Sequence, residues 1–211
     1  MKKIFTLIFL AFTIVSTVVA QQRTVAECTV TFAISADAAT ADKETVESLK
    51  AGSKTVYIKA NQSRVDLTSP SFSQSVFYDK NAATAVILRD IGNNKYMSKL
   101  DNAEWKALNS KFEGATVTNS NETKTILGYE CKKAVLQLKD GNSFNIYYAT
   151  NIIPSVKEFE YQFKDIPGFV LEYEALEMGG KKIKYTATKI NLSPVPVSKF
   201  EIPTSGYRML N

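Results

Sequence analysis

Residues 123–148, TKTILGYECKKAVLQLKDGNSFNIYY, constrain the fold more than any other stretch of the chain. Apolar and polar residues alternate on both sides of Asp140-Gly141. An Asp-Gly pair between two such runs predicts an antiparallel hairpin closed by a type I′ turn, whose two central residues need positive φ. On the second arm Phe144, Ile146 and Tyr148 share one face. The rest of the chain supplies more strands of the same kind.

Residues 23–36 place Ala26, Cys28, Val30, Phe32 and Ile34 on one face and Glu27, Thr29, Thr31 and Ser35 on the other. That is the period of a half-buried antiparallel strand. Residues 54–60 and 64–68 read as a hairpin around Asn61-Gln62, and 75–78 and 85–88 as another around 79–81. A further strand, 95–100, follows the turn at 91–94. Strands recurring about every 10 residues predict an antiparallel meander. Residues 116–126 are polar and extended, suited to an edge strand or a loop. Residues 169–175 alternate again, with Phe169, Leu171, Tyr173 and Ala175 inward and Glu172 and Glu174 outward. After Gly179-Gly180, residues 181–190 put Ile183, Tyr185 and Ala187 on one face.

Helical patterns are sparse. Asp42 can cap a short helix through residue 49. In residues 101–112, Ala103, Trp105, Leu108 and Phe112 recur at helical spacing and include the single Trp. Residues 154–163 suit one pair of helical turns, and Pro194, Pro196 and Pro203 keep the last stretch extended.

The N-terminal segment has its own logic. Lys2 and Lys3 precede an apolar run over 4–15, and Val18 and Ala20 stand three and one residues before the expected cut at Gln21. This is the pattern of a secretory signal peptide, residues 1–20, leaving 21–211 as a single domain. The run is shorter than the roughly 20 apolar residues of a membrane span, and no Cys follows it to carry a lipid. Without Lys2 and Lys3 the balance is 24 basic to 21 acidic residues, +3. So mild an excess reads as a solvated surface, with contact to anionic lipid or polysaccharide as the minority reading. No basic cluster is interleaved with aromatics, so nucleic acid is not an expected partner. The expected location is the periplasm, with outer-membrane association open, and the exported chain does not span a membrane.

Cys28 and Cys131 are the two cysteines. An oxidising compartment permits one disulfide between them. Cys28 also lies on the apolar side of its strand, where a buried free thiol is equally ordinary. Both states stay open on the sequence.

The chain contains no His. That excludes a Ser-His-Asp triad, a histidine base and the usual zinc sites, and two Cys cannot form a four-thiolate site. Neither a phosphate-cradling glycine loop, nor a Gly-x-Ser-x-Gly elbow, nor EF-hand spacing occurs. No metal or other cofactor is expected. Glu172 and Glu174, roughly 7 Å apart on a strand, and Glu158 and Glu160 around Phe159 read as solvated faces. The chain reads as non-enzymatic.

Four stretches together resemble a known family: YIKANQSRVDL, TKTILGYECKKAVLQLKDG, IPGFVLEYE and VSKFEIPTSGYRML. They are similar to exported bacterial envelope proteins of a domain-of-unknown-function family (number 4412), itself similar to the LolA/LolB and LppX superfamily of lipoprotein-sorting and lipid-carrying proteins. The best of the motifs are Gly128-Tyr129-Glu130-Cys131-Lys132 and Phe200-Glu201-Ile202-Pro203 with Gly206-Tyr207. The resemblance implies a mainly β (α+β) fold, a curved antiparallel sheet forming an incomplete barrel with short helices closing one side. It also implies a hydrophobic concavity for a lipid or lipoprotein acyl chain, with no catalytic residues. The candidate lining is Phe32, Ile34, Tyr57, Tyr78, Leu88, Trp105, Leu136, Tyr148, Leu171 and Tyr185. The alternative is an envelope structural or interaction module with a filled core, whose basic face or sheet edge meets another envelope protein.

Overall fold

The computed structural model describes residues 22–36, 43–176 and 182–210. The predicted signal segment, the Asp42 cap and the Gly179-Gly180 turn lie outside them. The strands are β1 (Arg23–Val25), β2 (Glu27–Ala36), β3 (Ser53–Lys59), β4 (Gln62–Ser69), β5 (Phe72–Asp79), β6 (Thr84–Ile91), β7 (Asn94–Leu100), β8 (Thr116–Ile126), β9 (Tyr129–Gln137), β10 (Ser143–Ala149), β11 (Ile152–Pro154), β12 (Phe169–Leu176), β13 (Lys182–Asn191) and β14 (Arg208–Met209). Two helices interrupt them, α1 (Lys43–Lys50) and α2 (Asn102–Leu108).

Twelve strands form one sheet in the order β14-β7-β6-β5-β4-β3-β2-β13-β12-β10-β9-β8. Every pairing is antiparallel except that of the short β14 with β7. The sheet does not close, so β14 and β8 are its edges. β1 and β11 pair separately and in parallel. The predicted curved, incomplete barrel is the observed architecture.

Local sequence explains most of the turns. The I′ geometry predicted at Asp140-Gly141 occurs instead at Leu127-Gly128, where both residues have positive φ, 51° and 82°. That two-residue turn joins β8 to β9, with Ile126 opposite Tyr129. The stretch 123–148 therefore holds parts of three strands, and 116–126 is an edge strand. At the other turn Gly141 alone takes positive φ, and the Gly141 N–H donates to the Leu138 carbonyl. A type I turn closed by a left-handed glycine needs only one such residue. α2 starts with a capping box: Asp101 accepts from the Glu104 N–H, and the Glu104 carboxylate accepts from the Asp101 N–H.

The inner face of the sheet carries one apolar cluster that runs from Val65 on β4 to Leu136 on β9. It is covered by residues 152–166, which hold β11 and two single turns of 3₁₀ helix (Lys157–Phe159 and Tyr161–Phe163). Ile152, Val156, Phe159, Phe163 and Ile166 from this segment are all buried in the cluster. α2 covers the β5–β6 end, where the Trp105 ring stacks on Tyr78 with centroids 5.7 Å apart. The outer face of β5–β7 is covered by the chain after β13, with Tyr207 packed against Phe77, Leu88 and Met97.

Gly168 sits where this covering segment rejoins the sheet. A Cβ there would lie 2.1 Å from the Ala149 carbonyl oxygen and 2.6 Å from the Tyr148 ring. The backbone oxygen cannot move without disturbing β10. Gly168→Ala is expected to cost about 3 kcal/mol in urea unfolding. Gly92→Ala, which has positive φ but nothing within 4 Å of the new methyl, is expected to cost about 1 kcal/mol. Equal losses would contradict the packing described at Gly168.

Candidate functional site

The concave face is where the sequence places a ligand, and the structure fills it with side chains. Phe32, Ile34, Leu136, Tyr148, Leu171 and Tyr185 all lie in the main core cluster. Trp105 belongs to a second cluster with Ala85, Ile87 and Tyr161, against which Tyr78 packs. Two candidate residues are misplaced by the sequence reading. Tyr57 lies opposite Arg64 on the outer face, out of phase with Val56 and Ile58. Leu88 lies opposite Met97, also on the outer face, out of phase with Ile87. Strand alternation, not side-chain type, decides the face.

Rings from opposite sides meet across the concavity. Phe159 packs on Phe163 and Phe169 with centroids 5.3 and 5.8 Å apart. Phe163 meets Tyr173 edge-on at 4.9 Å, and Tyr173 stacks on Tyr185 at 4.8 Å. Phe32 closes the row at 6.0 Å from Tyr173. Separations and angles of this kind are those of favourable aromatic pairs.

One polar group interrupts this apolar wall. Lys54 points inward from β3, in phase with Val56 and Ile58, and is 7% exposed. Its Nζ is ion-paired with Glu160 and donates to the Tyr173 hydroxyl at 2.5 Å. The Tyr173 hydroxyl donates in turn to Glu160 Oε1 at 2.7 Å. The ammonium also lies 4.4 Å from the Tyr185 ring centroid. Glu160 is thus not on a solvated face, as its neighbourhood with Glu158 suggested. It ties the covering segment to β3 through a buried, fully partnered charge pair.

The outward row on β12 also departs from expectation. Glu172 is 6% exposed. Its oxygens accept from Lys124 Nζ at 2.6 Å and from the Thr186 hydroxyl at 2.9 Å. Lys124 reaches it from the edge strand β8 and lies 4.5 Å from the Tyr147 ring centroid. Tyr147 donates to Glu122, which also accepts from Lys133 at 2.8 Å. The Lys133 and Tyr147 hydrogen bonds hold Glu122 below the usual carboxylate range. Burial, then the Glu122 bond, pushes the Tyr147 hydroxyl up to about 12. Burial would raise Glu174, but the Asn145 backbone and side-chain bonds hold it low. Glu172 and Glu122 pin the exposed edge strand β8 to the sheet, while Glu174 ties β12 to β10 through Asn145.

Cys28 and Cys131 are separate buried thiols, which corrects the paired state considered above. β2 and β9 are separated in the sheet by β13, β12 and β10. Burial pushes the Cys28 thiol up to about 12 and the Cys131 thiol up to about 11. Among the described residues, no group of three or more acidic or Cys side chains is placed to hold a metal ion.

A recess of about 510 Å³ lies on the other face of the sheet. Val86, Met97 and Lys99 form its floor, and Ile202, Tyr207 and Met209 its walls. A smaller recess of about 70 Å³ adjoins it, shared by Phe77, Phe200 and Ile202. Neither is lined by Lys54, Phe32 or Tyr185. The candidate ligand lining left this region out, because Ile202 and Tyr207 come from a stretch with no strand or helix period, noted only for its motifs, and Val86 and Met97 fall on the outer face of their strands.

No protein-family model matches the chain, and no curated relative matches it. Among solved structures it is similar to PNGF-II, in two crystal forms, at 12% identity and TM-scores of 0.50 and 0.52. Those superpositions cover 87% of this chain but 30% and 31% of PNGF-II, so the chain spans about a third of that protein's length. It is also similar to MucB, at 9% identity and TM-score 0.42 over 84% of this chain and 57% of that one. An uncharacterized conserved protein from Thermus thermophilus superposes at 8% identity and TM-score 0.39, covering 88% and 90% of the two chains. The PNGF-II likeness supports the fold. The chain is an open half-barrel of one twelve-stranded sheet around a filled core.

The Lys54–Glu160 pair is directly testable. Removing one partner strands a buried charge, so Lys54→Met or Glu160→Leu alone is expected to cost about 3–5 kcal/mol. The double variant, which leaves no charge behind, is expected to regain most of that loss in urea unfolding. Single variants costing under about 1 kcal/mol, or losses that simply add, would contradict a buried coupled pair.

Proposed function

We propose that this chain is a non-catalytic binding protein of the envelope half-barrel type, which engages its partner through its outer surface while the concave side serves as core. One observation carries the reading: residues 152–166 occupy the face where a carrier would hold its ligand. Burial of Ile152, Val156, Phe159, Phe163 and Ile166 stabilises by about 1.5–3 kcal/mol each. Lifting the segment out would cost roughly 10 kcal/mol before a ligand regained any of it.

The absence of catalysis is part of the same reading. The chain has no His, and Glu160, Glu172, Glu174 and Glu122 are each engaged by Lys, Asn, Thr or Tyr groups. Export to the periplasm rests on the signal pattern of residues 1–20.

Native mass spectrometry of the exported chain, purified without detergent, tests the proposal. The expected spectrum shows protein mass alone, before and after incubation with a lipid extract. A discrete added mass of a phospholipid or acylated species would instead establish the carrier, with residues 152–166 as a displaceable plug.

A further inference from the structure

We infer that the C-terminal stretch, residues 197–210, is a docking strip for an anionic lipid surface. The inference rests on the outer-surface reading above and names the partner of that surface. Val197 is 67% exposed, Ile202 38%, Met209 47% and Leu210 39%. These four make up most of the exposed large apolar side chains among the described residues, which otherwise number three: Ile91, Leu108 and Leu127. Scattered exposed apolar residues need no explanation, but their concentration in one short segment does.

The strip is basic as well as apolar. Lys199 and Arg208 lie within it, and Lys99 lines the recess beside it. None of the three has a carboxylate within ion-pair distance among the described residues, while the neighbouring Lys95 is paired with Asp90 at 3.0 Å. Glu201 is the one acidic residue in the strip. The strip is held to the sheet by its backbone: Arg64 donates to the Lys199 carbonyl at 2.8 Å, and the Leu210 N–H donates to the Met97 carbonyl at 2.8 Å. The Val197 and Leu210 side chains are thereby left exposed on a fixed support, and the Lys199 ammonium, itself on the surface, lies 5.1 Å from the Tyr57 ring centroid.

Apolar side chains interleaved with cations suit an interface with anionic headgroups above and acyl chains below. An acidic protein would use the cations equally well. It would not need singly projecting aliphatic side chains spread along an extended segment, and a protein interface of ordinary strength buries a shaped patch of some 800 Å² per partner.

The test is co-sedimentation of the exported full-length chain with vesicles of phosphatidylcholine alone or mixed with phosphatidylglycerol. Binding is expected to the mixed vesicles only, and to weaken as salt is raised. Each basic residue near such a surface contributes about a fivefold change in affinity, so Lys199→Gln with Arg208→Gln is expected to weaken binding roughly 25-fold. Val197→Ser with Met209→Ser is expected to weaken it further. All four side chains are exposed, so unchanged thermal unfolding is expected for each variant.

No sedimentation, equal binding to neutral vesicles, or indifference to both variant pairs would overturn the proposal. Capture of the chain by polyglutamate without any vesicle binding would also overturn it, in favour of an acidic protein. These failures, seen with a ligand-free mass spectrum, leave the outer-surface reading standing. A retained lipid in that spectrum removes the outer-surface reading itself.

Discussion

An open sheet of twelve strands has one continuous apolar face, and the other sheet among the described residues is only the three-residue β1–β11 ladder, too small to cover it. The rest of the molecule answers that constraint. Closing into a barrel would hide the face, but β8 and β14 remain apart as edges. The chain instead folds residues 152–166 back over the concavity and clamps them at two places. β1 pairs with β11 at one end, and Lys54 holds Glu160 near the middle. The aromatic row from Phe159 through Tyr173 to Phe32 supplies the bulk between those clamps.

A buried ion pair in such a place is weak evidence for stability, because desolvation offsets much of the attraction. Its clearer consequence is registry. Several Phe and Ile side chains could slide over an apolar wall with little preference, whereas the Glu160 carboxylate has one ammonium and one hydroxyl to meet. The pair fixes where the segment sits, and the rings then pack around it. On the opposite face Lys124 and Glu172 do similar work for the edge strand β8. They cross-link it to β12 on the far side of β9 and β10.

Much of this was legible in the sequence, and the rest fails for identifiable reasons. Period-two alternation located the strands, because a half-buried strand leaves that mark in any context. It also held the signal for Lys54, which falls in phase with Val56 and Ile58. The same phase sets Tyr57 and Leu88 outside, so a reading by residue size put them on the wrong face. The two-residue turn at Leu127-Gly128 was hidden because leucine seldom takes positive φ. Nothing near Glu172 in sequence reveals its burial, since Lys124, which covers it, lies 48 residues away. Whether the concavity was open or filled was equally out of reach, because the covering segment comes from a stretch with no strong period of its own.

The central claim, that residues 152–166 are permanent core, is most directly tested by native-state hydrogen exchange. The Ser155, Phe163 and Ile166 amides donate to Val25, Glu160 and Phe163 carbonyls within or beside the covering segment. If the segment is core, these amides exchange only through global unfolding, with the same opening free energy as β10 and β12 and no response to added lipid. Exchange through a smaller opening that leaves the sheet protected, accelerated by lipid, would show a lid over a ligand cavity and contradict the account.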